Sequence, residues 1–218
     1  MAGPDRGGDG MLTSAPLTAA VTAAGPSLWY ANRASGFILL ALLTLATTAG
    51  ILAGIAPGSV TWPRAATQAL HRNVGLLSMI FLLVHIGTAV ADEFVDIRWW
   101  HSVVPFAGPY ERVWLGLGVV AFDLLLAVVL TSLARRRMGH RVWRGVHLLA
   151  YAAWLLGALH GLGIGTDAQT RWGLAITAAS ALVVAAAVGA RLVSLRSGPP
   201  SAGAPTADPV SVARRTLP

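Results

Sequence analysis

The sequence predicts an all-α membrane protein, a five-span transmembrane helical bundle. Three observations carry that reading. Of the 218 residues, 55% are apolar and only 11% charged, where soluble globular chains usually carry about 25% charged residues. Five stretches, at 29–52, 70–91, 113–133, 142–162 and 172–195, approach the roughly 20 mostly apolar residues that a helix needs to cross a bilayer. No strand alternation and no internal repeat competes with them. The scarcity of charge is not that of a disordered chain, which pairs few apolar residues with many charges. The absence of cysteine removes disulfides, iron–sulfur clusters, thiolate zinc sites and cysteine nucleophiles.

Taken in order, residues 1–27 are rich in Gly, Ala, Pro, Ser and Thr and read as a disordered tail outside the membrane. Their weak apolar run at 15–24 fails as a signal peptide, because Asp5, Arg6 and Asp9 do not make a positive leader. The first span has Gly36-Phe-Ile-Leu-Leu-Ala-Leu-Leu at its heart, and the second carries His71 and His85. The third carries the only acid inside a span, Asp123, and the fourth carries His147 and His160. Residues 28–196 make one transmembrane domain, and 197–218 read as a disordered cytoplasmic tail. Neither tail reaches the roughly 50 residues of a small domain, so no flavin or nicotinamide domain is expected within this chain.

The net charge of +7 comes with arginine as the sole basic residue besides histidine. Arg135, Arg136, Arg137, Arg141 and Arg144 crowd the connection between the third and fourth spans, without an acid. The connection between the second and third holds Asp92, Glu93, Asp96 and Glu111 against Arg98 and Arg112. The positive-inside rule puts the first of these connections in the cytoplasm and the second outside. Five spans then place the N-terminus outside and the C-terminus in the cytoplasm. Arg64, Arg72, Arg191, Arg196, Arg214 and Arg215 agree. The basic balance is topogenic, and nucleic acid is not an expected partner.

Four of the six histidines lie within spans, where ionisable groups are costly and usually functional. The second and fourth spans run parallel. Fourteen residues separate His71 from His85 and thirteen separate His147 from His160, steps of about 20 Å in a helix. His71 therefore faces His147 at one depth and His85 faces His160 at another. Two parallel helices offering paired imidazoles at two depths can hold two haems between them, with the four histidines as axial metal ligands. Bis-histidine ligation leaves no open iron position and suits electron transfer. Phase supports this only in part. Fourteen residues return to within about 40° of the starting face, but thirteen miss it by about 140°, so either the fourth span is locally tightened, for which Gly157 offers a place, or its two haems sit on different flanks.

The stretch Thr131-Ser-Leu-Ala-Arg-Arg-Arg, then Trp143-Arg-Gly-Val-His147-Leu-Leu-Ala-Tyr151 and His160-Gly161, resembles the ferric-reductase-type transmembrane domain. That family includes the membrane portions of NADPH oxidases and ferric reductases, and bacterial haem-binding subunits of the methionine-sulfoxide reductase kind. The resemblance covers about residues 29–195. It implies two b haems, ligated by His71 with His147 and by His85 with His160. It also implies electron flow from a cytoplasmic flavin reductase or a quinol to an acceptor, or acceptor protein, on the outer face. The chain departs from the family in lacking the cytoplasmic flavin–nicotinamide domain and a sixth span.

Around this core, Arg72 and Arg144 are candidate contacts for haem propionates, since arginine pairs well with carboxylates at helix ends; otherwise they serve topology. Arg33, at the outer start of the first span, either reaches an outer propionate or snorkels to the interface. Asp123 reads as a proton-handling or haem-contacting group, or as a hydrogen-bonded structural acid. His101, in Trp99-Trp100-His101, sits in an interfacial anchor with an outer acceptor role as the alternative, and His140 reads as a solvated loop residue. Two competing functions stand beside electron transfer. One is a haem-binding anchor subunit without its own acceptor site. The other is a non-redox transporter or scaffold with structural histidines.

Overall fold

The computed structural model describes residues 15–55, 63–92 and 95–196. Of the tail expected to be disordered over 1–27, residues 1–14 lie outside this range, whereas 15–27 are helical and begin the first helix; the tail expected over 197–218 lies wholly outside it. Among the described residues there are six α-helices and no strand: α1 (Ala15–Ala53), α2 (Arg64–Ala91), α3 (Arg112–Leu133), α4 (His140–His147), α5 (Leu149–Ile164) and α6 (Arg171–Arg196). They make five segments long and apolar enough to cross a membrane, α4 and α5 together forming the fourth. The chain is a multi-pass membrane protein.

Local chemistry sets the helix ends. Pro63, extended at φ −63° and ψ 141°, starts α2, in keeping with a ring that cannot donate a backbone hydrogen bond. Thr170 caps α6, its hydroxyl accepting the N–H of Gly173 at 3.2 Å. Within the spans, the hydroxyls of Thr44, Ser78, Thr131, Ser132 and Thr177 each donate to the carbonyl four residues earlier. That satisfies polar groups that hydrocarbon cannot. Leu76, Ile80 and Leu83 on α2 and Leu182, Leu192 and Val193 on α6 are exposed, as lipid-facing positions should be.

The helices pack as two principal pairs, α1 with α2 and α3 with α5, and α1 also touches α5 and α6. No comparable contact joins α2 to α4 or α5. The pairs meet through a small core of Leu39, Leu82, Leu125 and Ala153, one residue from each of the four helices. The Trp154 indole N–H donates to the Thr44 hydroxyl at 3.0 Å, tying α5 to α1. At the arginine-rich end, Arg191 of α6 donates to the Gly54 carbonyl just beyond α1.

The fourth span differs from a single regular helix in a specific way. It tightens at Leu148, between α4 and α5, where the torsions stay helical (φ −68°, ψ −19°) and the Leu148 carbonyl takes the N–H of Tyr151, three residues on, at 3.2 Å. The tightening expected as one answer to the thirteen-residue spacing therefore lies directly after His147. It does not lie at Gly157, which sits inside regular α5. His147 faces His71 and His160 faces His85, both of α2.

At the opposite end, the connection between α2 and α3 is folded rather than loose. Trp99–Ser102 form a 3-10 turn, and Trp99 and Trp100 are exposed. His101 is buried at 4% exposure, and its Nδ1 accepts the backbone N–H of Arg98 at 3.0 Å. This accounts for His101 as a structural residue of the turn. The Phe106 ring lies so close over Gly116 that a Cβ there would overlap it, which pins the connection to α3.

Candidate functional site

The histidines predicted to pair do so. His71 of α2 and His147 of α4 have ring centroids 5.9 Å apart and planes at 75°. His85 of α2 and His160 of α5 have centroids 6.3 Å apart and planes at 88°. Two imidazoles that bind one metal from opposite sides, each nitrogen about 2 Å away, have centroids about 6 Å apart. Both pairs meet that condition. Each pair supplies two nitrogens only, and among the described residues no group of three or more His, Asp or Glu gathers around a free ion. A metal held by either pair would take its remaining donors from a non-protein group; haem would supply them, and the facing imidazoles fit it.

Each imidazole is oriented through its other nitrogen. His71 Nδ1 donates to the Ala46 carbonyl at 2.8 Å, His85 Nδ1 to the Asn32 carbonyl at 3.0 Å and His160 Nδ1 to the Trp114 carbonyl at 2.8 Å. A carbonyl only accepts, so the proton is on Nδ1 and Nε2 carries the free lone pair. His147 is held differently. Its Nδ1 lies 3.5 Å from the Ser132 hydroxyl, whose own proton is donated to Val128 at 2.6 Å. The Trp143 ring also stacks on His147 at 5.0 Å and 25°.

The His85/His160 level opens into a cavity of about 690 Å³. Its walls are largely apolar, from Phe37, Leu39, Leu82, Phe122 and Leu125. Polar residues also line it, among them Arg33, Asp92, Asp96, Tyr110, Thr166 and Asp167. Arg33 forms an ion pair with Asp167 and donates to the Thr166 hydroxyl, while its guanidinium lies 4.1 Å from the Trp29 ring centre. Arg33 thus joins α1 to the connection between α5 and α6 at the edge of the cavity. Arg72 and Arg144 are exposed on α2 and α4 near the other histidine pair. Asp123 is half-buried on α3 and does not line the cavity. His140 is exposed, beside Trp143.

Sequence reasoning missed Asn32. Its side-chain N–H donates to the His85 carbonyl at 2.8 Å, while its own carbonyl receives the His85 ring N–H. This reciprocal lock fastens α1 to α2 beside the cavity. A polar residue one turn inside an apolar span was the available signal.

A membrane-spanning helical bundle that sets four inward histidines in two facing pairs is built as a metal-cofactor scaffold. The chain belongs to the family of ferric reductase like transmembrane components, whose pattern it matches over residues 34–158. It is similar to the protein-methionine-sulfoxide reductase heme-binding subunit MsrQ of Rhodospirillum rubrum, with 30% identity over 115 residues, 50% of this chain and 53% of that protein. It is also similar to the subunit of the same name from Deinococcus radiodurans, with 33% identity over 136 residues, 60% of each chain. The chain therefore spans between half and two thirds of the length of these curated relatives. No solved structure matches it.

Proposed function

We propose that this chain is a membrane electron-transfer subunit that holds two b haems, one between His71 and His147 and one between His85 and His160. The observation that carries this reading is the pair of centroid separations, 5.9 and 6.3 Å, at two levels of one bundle. When bound, haem supplies one-electron chemistry by cycling its iron between two oxidation states. The protein's own residues hold position. The three carbonyls and the Ser132 hydroxyl fix the imidazole rings, and Leu39, Leu82, Leu125 and Ala153 keep the space between the levels apolar. Arg33, lining the cavity, is the residue best placed for an outer propionate, exchanging Asp167 for it. Arg72 and Arg144 serve the same purpose at the His71/His147 level.

Arginine massed on one face argues that this end is cytoplasmic. Electrons then enter at the His71/His147 level from a docked flavin reductase or a quinol. They leave at the His85/His160 level to an acceptor on the outer face. The relatives' naming as a sulfoxide reductase subunit favours a second reading. In it the chain is the haem-binding anchor of a larger complex, with a sulfoxide-reducing protein as its acceptor.

The test is to purify the protein, record oxidised and dithionite-reduced spectra, and count haem as the pyridine haemochrome. Two b haems per chain are expected, and His85→Ala should leave one. Protein without haem after haem-replete expression overturns both readings and leaves a transporter or scaffold. Turnover that appears only on adding a partner selects the anchor.

A further inference from the structure

The three carbonyls that receive a histidine N–H share a local pattern. Asn32 is followed four residues later by Gly36, Ala46 by Gly50, and Trp114 by Gly118. In a helix the carbonyl of residue i points toward the N–H of residue i+4. The Cβ of residue i+4 tilts back toward the N-terminus and overhangs that carbonyl. A side chain there covers the oxygen, whereas glycine leaves it open from the side.

The glycines face the rings concerned. A Cβ on Gly36 would lie 3.2 Å from His85 Cε1 and 3.4 Å from its Nδ1. On Gly50 it would lie 3.2 Å from His71 Cε1 and 3.3 Å from Nδ1. On Gly118 it would lie 2.5 Å from His160 Nδ1 and 2.7 Å from Cε1. Glycine fills 24 of 218 positions, about one in nine, so its presence at all three is not an effect of composition. Fourteen residues separate Gly36 from Gly50, as fourteen separate His71 from His85 on the neighbouring antiparallel helix. The fourth histidine lacks the device. His147 meets a hydroxyl at 3.5 Å, and the residue four beyond Ser132 is Arg136.

We propose that Gly36, Gly50 and Gly118 are positioning residues, each uncovering a helix carbonyl so that it takes the Nδ1 proton of one metal-binding histidine and sets Nε2 as the ligand. This rests on the reading of the four histidines as haem ligands. A strong acceptor on Nδ1–H raises the basicity of the ligand nitrogen and favours ferric iron. Two such bonds serve the His85/His160 site, and one serves the His71/His147 site.

The experiment uses full-length haem-loaded protein carrying Gly36→Ala, Gly50→Ala or Gly118→Ala. Gly87→Ala and Gly189→Ala, where a Cβ meets nothing within 4 Å, are the controls. Haem count, redox titration and the low-spin electron paramagnetic resonance of the oxidised protein are recorded for each. Gly36→Ala should move the potential of the His85/His160 haem to more positive values, change its resonance and leave the other haem untouched. Gly50→Ala should do the converse. Gly118→Ala displaces the ring outright and should empty most of the His85/His160 site while retaining the other haem. If Gly118→Ala gives no folded protein, the milder Gly36 and Gly50 variants decide. Variants that titrate and resonate like the controls, in a protein whose wild type holds two haems, overturn the role of the glycines alone. A wild type without haem overturns the reading beneath it.

Discussion

His71, His85 and His160 each commit Nδ1 to a backbone carbonyl, and the proposed function leaves Nε2 for the metal. That division explains why Asn32 matters although it binds nothing itself. Its side chain bonds the His85 carbonyl and, at 3.3 Å, the Thr88 hydroxyl, while its backbone oxygen holds the imidazole. Asn32→Ala removes the first two bonds and leaves the third. It should cost about 1 kcal/mol of stability and keep both haems, which a melting curve and a haem count on one preparation will show. Loss of the His85/His160 haem in this variant would mean that the side chain, and not the carbonyl, orients the ring. The four histidines were legible because charge and polarity are so rare in the spans. Their acceptors were not, because a backbone carbonyl carries no residue type. The trace they left was glycine spacing, which is legible only once the helix facing each glycine is known.

At the level of the helix, span positions followed from hydropathy within a few residues. The second span is longer than its apolar run, because α2 extends from Leu70 back to Arg64 at its polar end. The thirteen-residue spacing of His147 and His160 announced a distortion, and its place depended on tertiary structure. Leu148 is not a helix breaker by type, so no local propensity marked it. The register of α5 sets which residue faces His85, which gives a sharp expectation. Inserting one alanine after Ala150 rotates the rest of α5 by about 100° and carries His160 away from His85. The variant should bind one haem per chain, with the spectrum of the His71/His147 site retained. A count of two would show that α5 can re-register and that its register does not set the geometry.

On the scale of the whole molecule, the arrangement is two helix pairs joined through a narrow apolar core, with arginine at one end and a folded acidic connection at the other. The exposed Arg135, Arg136, Arg137, Arg141 and Arg144 predict that a fluorescent protein fused to the C-terminus will fold and fluoresce in bacterial cells. An alkaline phosphatase fused there should stay inactive. The opposite result would invert the proposed direction of electron flow. The architecture was foreseeable from five apolar runs, but the pairing of α1 with α2 and of α3 with α5 was not. Hydropathy gives the depth of each residue and says little about which face of a helix meets which neighbour.

If the four histidines hold two haems as proposed, their division between α2 and the α4–α5 span also dictates an order of manufacture. A nascent chain enters the bilayer from its N-terminus, so His71 and His85 arrive early and stand without partners while α3 is threaded. His147 completes the first pair, and the second stays open until His160 has emerged thirteen residues later. The site at the arginine-rich end is thus the first that can be filled during synthesis. The cavity beside Arg33 closes last, when α6 brings Thr177 to its lining after the turn bearing Thr166 and Asp167.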